Sequence, residues 1–145
     1  MKIDTFEFFA ALAAEMNAHP DRYQPLGEAD MDVVIVMRNA DRPPFAVRLA
    51  FEELRCEHVV DAQPDDPCEY RLDGPLVAWQ AMFDDIVTQG RATGLQTINS
   101  LALLGDDIVL GGSDPMGLDK FSRFNQTLQE FFDGASTLLA LEVAP

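Results

Sequence analysis

The sequence predicts a single domain of the α/β (α+β) class, with one helix ahead of a run of strands and two amphipathic helices behind it. Three patterns carry this expectation. "TFEFFAALAAEMN" repeats apolar residues at helical spacing, "MDVVIVMR" and "FAVRLAFEEL" are β-branched or alternating, and "LVAWQAMFDDI" and "LDKFSRFNQTLQEFFD" return to a period of three to four residues. A length of 145 residues leaves room for one core.

From Thr5 to Asn17, the residues Phe6, Phe9, Leu12, Ala13 and Met16 fall on one stripe, and Asp4 and Glu7 are spaced as a capping box. The helix should stop near His19, because Pro20 disfavours helical angles in the residue before it. "DRYQPLGEAD" reads as a loop. The run Val33 to Val36 predicts a central strand covered on both faces, and "NADRPP" predicts a turn that no ladder crosses. Phe45, Val47, Leu49 and Phe51 then alternate with Arg48, Glu52 and two alanines, the signature of a sheet with one dry and one wet face.

"RCEHVVDA" either continues that ribbon after a bend or pairs back as a new strand. "CEYRLD" alternates as a further half-exposed strand, after which Asp73 suits a cap, Gly74 a turn and Pro75 the first helical position. Leu76, Trp79, Met82, Phe83 and Ile86 form a buried helical stripe that includes the one tryptophan. Gly90 and Gly94 flank the exit of this helix. A weaker apolar stretch, "LQTINSLALLGDD", ends at Gly105-Asp106, a short apolar piece, "DIVLGG", follows, and Asp114-Pro115 signals a last helix over Leu118 to Asp133. That helix carries Leu118, Phe121, Phe124, Leu128, Phe131 and Phe132 on one broad face, with Gly134 where a terminating glycine belongs; "STLLALEV" closes the chain as a strand or a packing tail.

Composition removes several classes of function. With 25 Asp and Glu against 10 Lys and Arg, the formal charge is -15, a field that repels nucleic acid and anionic lipid surfaces. The first residues lack the basic start and unbroken apolar run of a signal peptide, and no apolar run approaches the roughly 18 residues a spanning helix needs. A cytoplasmic protein without stable membrane insertion is expected. Cys56 and Cys68 lack the partners of a metal site and read as two reduced thiols.

Catalytic and cofactor motifs fare no better. "GDDIVLGGSDP" has glycines, but Asp106, Asp107 and Asp114 stand where an anion would sit. Adjacent acid pairs such as Asp84-Asp85 point in different directions, and Glu53, Glu57 and His58 match no familiar metal spacing. His19 and His58 are the only imidazoles, and no serine sits in a glycine-framed elbow. The expectation is therefore no catalytic residue, no metal and no cofactor. Ten Phe, six Met and one Trp remain, either as a plain core or as the lining of an apolar cavity; periodicity does not separate the two.

The order of strands, then "YRLDGPLVAWQAMFDDI", then a stretch ending "LALLGDD", then a long terminal helix resembles the sterol carrier protein 2 family of lipid-binding domains. The likeness is strongest over residues 31–134, following the helix of residues 1–20, and rests on a strand, Gly74, the helix with Trp79 and the Gly105-Asp106 turn. Leu103-Leu104 before that glycine, and a "GLQTINS" segment without a glycine-rich lead into the strand expected there, depart from the pattern. The resemblance implies a mixed, mostly antiparallel sheet covered by helices and enclosing an apolar tunnel for a sterol, fatty acid or fatty acyl chain. It places Trp79, Met82, Phe83, Phe121, Phe124 and Leu128 on the tunnel wall, where they supply shape and desolvation and make no bonds. At about 0.8 kcal/mol per methylene, a tunnel taking about ten carbons would supply micromolar binding. The competing expectation is a small acidic chaperone or adaptor, whose sheet face and amphipathic helices bind another polypeptide or a second copy.

Overall fold

The computed structural model describes residues 1–112 and 114–143, with side chains to residue 139. In chain order the elements are α1 (Phe6–Ala18), β1 (Met31–Asn39), β2 (Arg42–Glu52), β3 (Arg55–Asp61), β4 (Tyr70–Pro75), α2 (Leu76–Gln89), α3 (Ile98–Leu103), β5 (Val109–Gly111), α4 (Pro115–Asp133) and α5 (Ala135–Val143). The five strands form one sheet in the order β3-β2-β1-β4-β5, in which only β1 and β4 run parallel. This is the mixed, mostly antiparallel sheet expected, and β1 is its central strand.

Alternation along β1 sorts the two faces. Met31, Val33, Ile35 and Met37 join Val47, Leu49, Phe51, Tyr70 and Leu72 in the main core, together with buried residues of α1, α2, α4 and α5. Val34 and Val36 point the other way and form a small second cluster with Ala46, to which no helix contributes. Bidentate pairs flank them on this face, Arg48 with Asp32 and Arg38 with Asp73, the latter at 2.7 and 2.8 Å. Carboxylate hydrogen bonds hold both guanidinium pKa values above their ordinary range. The helices thus lie on the dry face alone.

Local chemistry corrects several expectations. Thr5, not Asp4, caps α1, accepting from the Phe8 amide, while Asp4 pairs with Arg42 at 3.1 Å. The rotation this implies buries Phe8 and leaves Phe6 exposed. Pro43 and Pro44 lie inside β2; they sit at its start, beyond the register shared with β3 and beside an irregularity in the pairing with β1, where a missing N–H costs little. "RCEHVVDA" pairs back antiparallel on β2 as a new strand. Asp73 and Gly74 belong to β4, Pro75 is the N-cap, and no side chain caps α2. Gly74 is required by crowding, since a β-carbon there would lie 2.8 Å from the Asp107 carbonyl oxygen and from Ile108.

Gly90 ends α2 in the left-handed region at φ 85°, as a terminating glycine should. The stretch around "SLAL" is the short helix α3, capped by Thr97, and not a strand. Asp114 caps α4 through the Met116 amide with Pro115 in the first turn, so α4 starts one turn earlier than Leu118; Ser113 lies outside the described residues. Gly134 has an ordinary right-handed φ of -57°. It does not terminate by conformation; α1 presses against it, with Glu15 Cγ 3.3 Å from where a β-carbon would stand. "STLLALEV" is helical as α5, neither a strand nor an irregular tail; its turns satisfy internally the backbone groups that a sixth strand would have had to pair.

Candidate functional site

The six residues expected on a tunnel wall all belong to the layer between helices and sheet. Trp79, Met82, Phe83, Phe121 and Leu128 are fully buried, and Phe124 is partly buried against the same core. The structure brings some of them together and separates others. Trp79 and Phe83 share Phe132, which meets their rings edge-on at 5.9 and 5.7 Å. Phe83 also meets Phe8 of α1 at 5.0 Å, and Phe132 meets Phe131, which reaches Phe51 on β2 at 5.1 Å. Phe121 belongs to a different contact, edge-on to Tyr70 of β4 at 5.7 Å. Phe124 sits at the rim, with the Arg123 guanidinium 5.2 Å from its ring centre.

Two polar anchors orient this layer. The Trp79 indole N–H donates to the Val36 carbonyl at 3.0 Å, and the Tyr70 hydroxyl lies 3.0 Å from Met31 Sδ. Burial raises the pKa of Tyr70 and of Tyr23, and pushes the Cys56 thiol up to about 12. All three stay neutral near pH 7, so none offers a charged nucleophile or base to this layer. Cys68 lies with the second cluster, on the other face of the sheet from Cys56. What the six wall residues themselves offer is apolar surface.

The spacing of the helices positions the rings. Residues 79, 82, 83 and 86 recur at three and four, which puts them all on the buried side of α2. Gly117 lets α4 approach β4 closely, because a β-carbon there would overlap the backbone of Glu69, 2.7 Å from its carbonyl carbon. Lys120, one turn on, holds the same residue through a 2.7 Å ion pair with the Glu69 carboxylate. Five grooves of about 300–550 Å³ open on the surface among the described residues, and the six wall residues line none of these five. One of about 300 Å³ lies among Ile3, Val87 and Leu139, and Val87 is one turn beyond Phe83 on α2.

Phe132 and Phe8 are the residues that sequence patterning missed. Phe132 stood on the broad face of the last helix, but nothing in a single helical stripe says which of its rings meets another helix. The signal for Phe8 was the capping threonine, which sets the rotation of α1.

No family model matches the sequence, and no curated protein matches it. The solution structure of a conserved hypothetical protein from Thermus thermophilus, described as possibly a sterol carrier protein, superposes with a TM-score of 0.70 at 15% identity over 95% of this chain and 90% of that one. A crystal structure of sterol carrier protein 2 gives 0.67 at 14% identity, over 92% of this chain and 97% of that one. The fold is sterol carrier protein 2-like. At these identities the likeness is one of architecture, and it extends through nearly the whole length of both neighbours. No described helix is long and apolar enough to cross a membrane.

Proposed function

We propose that the chain binds a long apolar lipid, a sterol, fatty acid or fatty acyl chain, between its helices and sheet, without catalysis. The observation that carries this reading is the likeness to a sterol carrier protein 2 structure, and to a second protein described as possibly a sterol carrier, over more than nine-tenths of the chain. Trp79, Met82, Phe83, Phe121, Phe124 and Leu128 form the wall in this proposal, with Phe132 as the side chain that moves aside. The groove beside Val87 and Leu139, between α2 and α5, is the proposed point of entry.

Interlocked rings change the ligand that such a layer favours. Parting the contacts Trp79–Phe132, Phe83–Phe132, Phe131–Phe132 and Tyr70–Phe121 costs about 0.5–1.5 kcal/mol each, roughly 2–6 together. Association costs at least about 4 kcal/mol more. A ten-carbon chain returns about 8 kcal/mol, which leaves almost nothing, whereas sixteen carbons return about 13 and leave roughly 3–7. Long chains or ring systems are favoured, and the micromolar expectation for ten carbons does not survive.

The competing adaptor reading loses its proposed surfaces. The apolar stripes of α2 and α4 are committed to the core, and on the opposite sheet face Val34 and Val36 are already buried between arginine–carboxylate pairs. Native mass spectrometry of protein purified from cells, with solvent extraction of the same sample, tests the proposal. One lipid-sized mass retained by the folded protein is expected. Bare protein that also takes up nothing from a mixture of C16 and C18 fatty acids and cholesterol would overturn it.

A further inference from the structure

The helix-free face of the sheet carries a groove that the lipid reading does not use. It has a volume of about 480 Å³ and lies where β4, β5 and the end of β1 meet, with Arg38, Arg71, Asp73, Pro75, Asp107 and Val109 around it. That volume is within the roughly 300–1,000 Å³ usual for small-molecule sites. Arg71 and Asp73 face it from β4, opposite Gly111 and Val109 of β5 in the sheet register.

Arg71 is unlike its neighbours. The Arg38 guanidinium is closed by both Asp73 oxygens, and Arg48 by both Asp32 oxygens. Arg71 has no carboxylate within ion-pairing distance among the described residues, in a chain with 25 acidic and 10 basic residues. One Nη2 bond to the Asp66 carbonyl, at 2.7 Å, holds it, and its Nε is buried without an acceptor. Directly across the ladder, Gly111 has neither a positive φ nor a neighbour within 4 Å of a built β-carbon. Neither conformation nor crowding demands glycine there. Its missing side chain leaves the groove open at this point of its lining.

We propose that this groove is a binding site for a small organic carboxylate with an apolar body, anchored by the Nη edge of Arg71 and packed against Pro75 and Val109. A planar carboxylate matches the guanidinium fork. Asp73 and Asp107 line the same groove and the whole chain carries -15, so every anion meets repulsion there and a phosphate dianion meets roughly twice that of a monocarboxylate, whose apolar body also gains contact with Pro75 and Val109. The site lies on the opposite side of the sheet from the aromatic layer, so it does not rest on the lipid proposal.

Titration of 15N-labelled protein with benzoate, followed by NMR, tests it, with benzamide as the neutral isostere and inorganic phosphate as the competing anion. Benzoate is expected to give saturable shifts at Arg71 Nε–H, Gly74, Val109 and Gly111, at least tenfold tighter than either control. Gly111→Val, which narrows the groove while keeping the arginine, and Arg71→Gln are each expected to weaken benzoate at least tenfold, the former with an unchanged fold. Absence of saturable shifts overturns the proposal, as do benzamide or phosphate binding as tightly as benzoate, or a Gly111→Val variant that binds normally.

Discussion

The indole N–H of Trp79 reaches 3.0 Å to the carbonyl of Val36, so the one tryptophan is tied to the backbone of the central strand and not simply packed on it. A buried carbonyl deprived of this donor loses about 1–3 kcal/mol. Trp79→Phe keeps an aromatic ring against Phe132 but removes the N–H. The urea midpoint, followed by circular dichroism, is expected to fall by a corresponding amount with an unchanged m-value.

Gly117 sets how closely α4 lies on β4. The space a β-carbon would take is filled by the Glu69 backbone, which has no flexible end to give way. Gly117→Ala should therefore destabilise by about 1–3 kcal/mol through overpacking, despite the better helix propensity of alanine. An unchanged or raised midpoint would show that α4 can shift without loss.

Asn17 ties the end of α1 to the sheet edge. Its side chain accepts from the Cys56 amide at 2.9 Å and donates to the Cys56 carbonyl at 3.0 Å, as a further strand would. Asn17→Ala leaves both backbone groups part-buried and unpaired, a loss of about 1–3 kcal/mol. Faster amide exchange at Cys56, measured by NMR, is expected to accompany it.

Asp133 carries a pH signature. Burial raises its pKa from 3.8 to about 6, against hydrogen bonds from the Ala92 amide and Gln129 that favour the charged form. The folded state then holds this proton more tightly than the unfolded chain does. Its contribution to stability is complete below pH 3.8 and is lost as pH rises through about 6. Asp133→Asn keeps an acceptor for Ala92 without the charge. The difference in unfolding free energy between variant and wild type should move in the variant's favour between about pH 4 and pH 7; a flat difference would contradict the assignment.

Much of this was legible in the chain. The period of Leu76 to Ile86 put Trp79 inside, the alternation of Phe45 to Phe51 gave the sheet its dry face, and Val33 to Val36 marked the central strand. Helical character in α5 was not legible, because "STLLALEV" is apolar nearly throughout and shows no period. Nor was the meeting of Trp79 and Phe83 at Phe132, since a stripe reports burial but not which ring interlocks with which. Whether the layer between helices and sheet yields to a ligand depends on that interlocking. The Arg71 groove was equally hidden: it exists because a register places Gly111 opposite an arginine, and register is a property of paired strands, not of either one.

Stearate carrying a nitroxide at mid-chain tests most directly whether a lipid lies against Trp79, because a nitroxide quenches tryptophan only at short range. Saturable quenching of Trp79 at one ligand per chain, reversed by unlabelled stearate, is the predicted result. Quenching that rises linearly without saturation, or none at all while stearate binds, would contradict it.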